Sequence, residues 1–138
     1  MVSAAGSAET PPASWSPDEL ARRALLEQGV AVAVHLRRHG NLIAWAKGRG
    51  LFVRVDRATP WGNPFVLGRD GDRETVIAAY RDHHLPSRPD LLARLVELRG
   101  KALGCWCAPE GCHADVLITE ARRFRDVQVA RRASEPFP

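Results

Sequence analysis

Ala102-Leu103-Gly104-Cys105-Trp106-Cys107-Ala108-Pro109-Glu110-Gly111-Cys112-His113-Ala114-Asp115-Val116-Leu117 decides how this chain is read. It opens on a short apolar run, breaks at a proline and a glycine, and resumes with apolar residues at helical spacing. That is the pattern of a strand, a turn and a helix. A strand is predicted over 102–107. A helix is predicted from about His113 to Phe124, with Leu117, Ile118, Ala121 and Phe124 turned inward.

Working outward, other segments repeat the alternation. Ser16-Pro17-Asp18-Glu19 is a helix start with a Ser N-cap and a Glu three residues on. That helix is expected to reach about Gln28, to end at Gly29, and to bury Leu20, Ala24 and Leu25. Gly29 to Leu36 is β-branched and apolar on both sides, as in a strand covered on both faces. Residues 37–50 fit a short helix or an irregular flap, and 51–55 a second strand. Asp72 caps a helix from Arg73 to about His83, and Pro89 opens another that Gly100 stops. Strands alternating with helices predict one small α/β domain with a mainly parallel sheet flanked by helices, Rossmann-like in type. The expected organisation is a flexible tail over 1–15, the domain over 16–125, and a C-terminal tail over 126–138.

Composition narrows the class. The 138 residues are 45% hydrophobic, enough for a core, yet no apolar run approaches the roughly 18 residues of a membrane span. The first residues lack the features of a secretory signal. A cytoplasmic protein without membrane contact is the expectation. The formal net charge is +4. An arginine excess of this kind suits an anionic partner, either a small nucleotide-like ligand or nucleic acid, and equally a solvated basic surface.

The three cysteines are odd in number and bunched. A disulfide framework would spread an even number over the fold. Cys105 and Cys107, if on one strand, have Cα atoms about 6.6–7 Å apart, at or beyond disulfide reach. Both then face one side, and Cys112 and His113 open the following helix, whose unpaired N–H groups favour anions and acidify thiols. Three chemistries fit. In a catalytic pocket, Cys105 or Cys112 is the nucleophile, His113 the acid–base group and Asp115 its orienting partner, with Cys107 on the pocket wall and Trp106 behind. In a metal site, Cys105, Cys107, Cys112 and His113 hold zinc. In a structural corner, the thiols are core and the carboxylate serves the helix dipole. No cofactor is required by the first or third reading.

Trp61-Gly62-Asn63-Pro64-Phe65 is the second candidate element. Gly62 permits close backbone approach, Asn63 offers a donor and an acceptor, and Trp61 or Phe65 offers a stacking face. A rigid turn with its aromatics in the core explains the same residues. Arg37, Arg38 and Arg54 lie near strand ends, where they fit a phosphate clamp or plain surface charge.

These elements carry a resemblance. Trp61-Gly62-Asn63-Pro64-Phe65, Leu98-Arg99-Gly100-Lys101, Cys105-Trp106-Cys107-Ala108-Pro109 and Cys112-His113-x-Asp115-Val116-Leu117, in that order, resemble the bacterial and phage family DUF4326, over roughly Val34 to Glu120. The C-x-C…C-H element is more distantly similar to DUF488. The resemblance implies that the two motif clusters form one site; it implies no reaction. Taken with the residues, it gives an expected pocket at the strand ends that binds a nucleotide, nucleoside or related phosphorylated ligand and acts by hydrolysis or group transfer. The alternative is a zinc-stabilised nucleic-acid-binding module. Oligomeric state is not encoded in these features.

Overall fold

The computed structural model of the chain describes residues 14–108 and 110–134. Strands β1 (Val32–His35), β2 (Phe52–Arg54) and β3 (Ala102–Cys105) form a parallel sheet in the order β1-β3-β2. The last strand in sequence is therefore central. His35 pairs with Cys105, and both Val34 and Arg54 align with Gly104. All three carboxyl ends thus meet at one edge. The strands are shorter than expected: β3 stops at Cys105, leaving Trp106 and Cys107 to the loop.

Helices cover both faces. On one side, α1 (Pro17–Glu27) and α2 (Gly40–Gly48) pack with Val32, Val34 and Ala102. On the other, α3 (Arg73–Ala79), α4 (Pro89–Arg94) and α5 (His113–Ser134) pack with Leu103, Cys105 and Val55. α3 continues through one π-turn, Tyr80–His84, and α4 through a 3-10 turn, Leu95–Leu98. The uncertain 37–50 segment is mostly helix, because Leu42, Ile43 and Ala46 share a buried face.

α1 begins with the expected capping box: Glu19 N donates to Ser16 Oγ and Ser16 N to Glu19 Oε1, each at 3.0 Å. Its inward face is a correction. Leu20 and Leu25 are each 40% exposed and Ala24 is exposed, while Glu19, Arg23 and Leu26 are buried. Polar partners decide the rotation. Glu19 also accepts the Leu42 backbone N–H at 2.9 Å, and the Arg23 guanidinium lies over Trp15 and Trp45, 5.3 and 4.9 Å from the ring centroids. Trp15, expected at the end of a tail, is core. The rest of that tail, residues 1–13, lies outside the described residues.

At the other end, α5 runs to Ser134, past the expected end near Phe124. Residues 126–134, expected as tail, are helical, and 135–138 lie outside the described residues. Among the described residues, no helix is long and apolar enough to cross a membrane.

Candidate functional site

β3 ends on Cys105 between the ends of its two neighbours, and the chain then loops through Cys107 to Cys112, which immediately precedes α5. Cys112 serves the helix start with its own groups: Ala114 N donates to Cys112 Sγ at 3.3 Å, and Cys112 N donates to Asp115 Oδ2 at 3.0 Å. The turn folds the three thiols onto each other. Cys105 Sγ and Cys112 Sγ are 3.0 Å apart, and all three sulfurs lie within 4.8 Å of one another. Cys105 and Cys112 are buried; Cys107 is half-buried.

The thiols do not titrate alike. The neighbouring Cys105 thiol, with Cys112 and the Arg73 guanidinium adding to it, holds Cys107 far below the ordinary thiol range against the opposing effect of burial. Cys105 is pushed up first by Cys107, and Cys112 by Cys105 and Cys107. Proximity thus favours the thiolate form at half-exposed Cys107 over the two buried sulfurs. The expectation that the helix terminus acidifies Cys112 fails, because two adjacent sulfurs outweigh the partial charge of the helix end.

A cavity of about 340 Å³ opens over this cluster. Its walls include the three cysteines, His113, Asn63, Phe65, Trp106, Arg57 and Arg73. Arg73 is tied by Nη1 to the Gly111 carbonyl at 3.1 Å, and Arg57 to the Asn63 and Phe65 carbonyls at 2.9 and 3.1 Å. Asn63, 8% exposed, joins two elements: its Nδ2 donates to Val76 O at 3.0 Å and its Oδ1 accepts Phe65 N–H at 3.0 Å. The W-G-N-P-F turn and the cysteine corner thus bound one cavity.

Several expected roles fall elsewhere. Trp61 is 3% exposed and part of the core, where its carbonyl accepts Tyr80 O–H at 2.8 Å. Gly62 does not line the cavity. It lies against the preceding loop, where an added Cβ would fall 2.5 Å from Arg57 Cα. Arg37 is exposed on the turn after β1, away from the cavity walls. Asp115 is spent on the Cys112 N–H rather than on His113. His113 is buried with Nε2 2.6 Å from Val55 O and stands apart from the group of three sulfurs. Trp106, expected behind the pocket, stands on its rim at 52% exposure and donates to Asp56 Oδ2 at 3.0 Å.

Sequence reasoning missed Asp56, Arg57 and Arg73 as cavity residues. Asp56 and Arg57 directly follow β2, which was the available signal; Arg73 had none beyond its place at a helix start. Arg54 grips Asp56 through two hydrogen bonds of 2.8 and 2.9 Å and is the main reason that the Asp56 carboxyl sits below its ordinary range.

The family model described as "Domain of unknown function (DUF4326)" matches residues 34–123, which contain the end of β1, all of β2 and β3, both motif turns and the cavity. The chain belongs to the DUF4326 family. Among relatives, an "Uncharacterized 12.4 kDa protein in nrdA-td intergenic region" of Enterobacteria phage T4 is 37% identical over 79 residues, 54% of this chain and 71% of the phage protein. "Uncharacterized protein R718" of Acanthamoeba polyphaga mimivirus is 38% identical over 47 residues, 34% of this chain and 35% of the viral protein. No solved structure matches this DUF4326 chain.

Proposed function

We propose that this DUF4326 domain binds a small anionic ligand of the nucleotide or nucleoside class in the cavity over the thiol cluster, and acts on it by hydrolysis or group transfer. The observation that carries the reading is the joint presence of Arg57, Arg73 and half-exposed Cys107 in one cavity at the strand ends. Guanidinium groups in a concave, partly apolar site favour a phosphate or carboxylate. Trp106 and Phe65 supply faces for a base or sugar. The volume suits a small ligand rather than a polymer.

Surface charge supports the small ligand over nucleic acid. Arg69, Arg81, Arg88, Arg94 and Arg123 each pair with a carboxylate close in sequence. Those charges are locally offset, whereas a phosphate backbone requires an unneutralised basic stripe.

A thermal-shift screen against nucleotides and nucleosides tests the reading. A ligand at about 100 times its dissociation constant adds about 2.7 kcal/mol, and Arg73→Ala removes that shift. The absence of a shift with every nucleotide and nucleoside sinks it.

A further inference from the structure

We propose that Cys105, Cys107 and Cys112 are the protein ligands of a single divalent metal ion of the zinc class, bound with its fourth coordination position open to the cavity. Occupancy of this site does not rest on what the cavity binds, so the two readings fail separately.

Three features argue for one ion. A metal about 2.3 Å from each thiolate sets tetrahedral sulfurs about 3.8 Å apart. The three sulfurs here all lie within 4.8 Å, with those of Cys105 and Cys112 3.0 Å apart, and reach that arrangement by side-chain adjustments of about an ångström. They also come from three differently anchored points: a strand end, a loop, and the residue before a long helix. Finally, Ala114 N–H points at Cys112 Sγ, a donor that stabilises sulfur carrying negative charge.

The same geometry sets the coordination number. His113, adjacent in sequence to Cys112, has its Nε2 committed to the Val55 carbonyl, and neither of its ring nitrogens belongs to the group formed by the three sulfurs. Three protein ligands remain, the pattern of a site that keeps a position for water or substrate. All three cysteines line the cavity, so the fourth position faces it. Three thiolates and a divalent ion leave one net negative charge, and Arg73 on the cavity wall offsets it.

The test is a Co²⁺ titration of the reduced, metal-free chain under anaerobic conditions, with three free thiols verified beforehand. One equivalent is expected to saturate an intense thiolate-to-cobalt band together with visible bands of tetrahedral cobalt, and Zn²⁺ is expected to displace it. Added azide should shift the visible bands, as an open position requires. Cys107→Ser changes the least buried ligand and should weaken binding by more than ~100-fold, with folding checked by circular dichroism. His113→Gln should leave the band intact. The proposal is overturned by a protein with three titratable thiols and no such band, or by a band that survives Cys107→Ser. Loss of the band in folded His113→Gln overturns the open fourth position.

Discussion

His113 Nε2 lies 2.6 Å from the Val55 carbonyl oxygen, a bond between residues 58 apart in sequence. A carbonyl only accepts, so Nε2 carries the hydrogen and the tautomer is fixed. The ring also packs on Tyr80, with centroids 5.0 Å apart. This contact pins the start of α5 to the end of β2 and so holds the two sides of the cavity together. Removing it by His113→Ala leaves a buried carbonyl unpaired and a void; the expected loss is roughly 2–4 kcal/mol, measured by urea unfolding.

The same ring predicts a pH dependence. Burial holds His113 below the ordinary histidine range, and the Val55 bond only partly opposes it. His35 and His84 are lowered for the same first reason. The unfolded chain therefore takes up protons before the folded one does. Stability is full above pH about 6.5, the unfolded value, and declines as pH falls from there toward the folded pKa values. Urea unfolding at pH 7 and pH 5 should show the decline, and His113→Gln should make it shallower. An unchanged slope would contradict the assignment.

Two glycines should respond differently to alanine. At Gly104 a Cβ would meet the side chains of Leu36 at 2.8 Å and Phe52 at 2.9 Å. These can yield, so Gly104→Ala should cost about 1–3 kcal/mol. At Gly62 the obstacle is backbone: Arg57 Cα at 2.5 Å and Asp56 O at 2.9 Å. Gly62→Ala should cost more than Gly104→Ala, and thermal unfolding of the two variants ranks them.

Glu19 ties α1 to α2. Burial works to raise its carboxyl, but the backbone N–H groups of Ser16 and Leu42 outweigh that and leave it below the ordinary carboxylate range. Its stabilising effect is present above pH about 4.3 and is lost as pH falls below that value. Glu19→Ala, which strands the Leu42 N–H and removes half of the capping box, should cost about 2–3 kcal/mol. The difference between the variant and the parent protein should shrink on acidification, as read from denaturation at pH 6 and pH 3.

Tyr80 closes the W-G-N-P-F turn by donating to Trp61 O at 2.8 Å. Tyr80→Phe keeps the ring and removes only this bond. The expected cost is about 1–3 kcal/mol, seen as a lower midpoint in urea with an unchanged dependence on denaturant.

Much of this architecture is legible along the chain because it is local. Ser16 and Glu19 form a cap from residues three apart, Asp72 caps α3 through Thr75, and Gly100, at φ +71°, ends its helical segment where a positive φ was needed. The resemblance carried by the four motifs likewise joined the W-G-N-P-F turn and the cysteine corner into one site. The failures share a cause. Leu20 and Leu25 look inward by hydropathy, yet Glu19 and Arg23 take the buried face because Leu42, Trp15 and Trp45 offer partners that no local window contains. Trp61 takes the core place that the rigid-turn reading gave it, whereas Trp106, expected behind the pocket, stands on the cavity rim.

The amino-acid order alone determined the alternation of strands and helices, the capped helix starts, and the presence of thiols, an imidazole and guanidinium groups near strand ends, since these depend on periodicity and near neighbours. Tertiary structure decided which of them meet. Only when β3 inserts between β1 and β2 do Cys105, Cys107 and Cys112 converge under Arg73, while His113 turns to Val55 and Asp115 to the Cys112 backbone. Those outcomes turn on competition among hydrogen-bond partners distant in sequence, and that competition is resolved by packing.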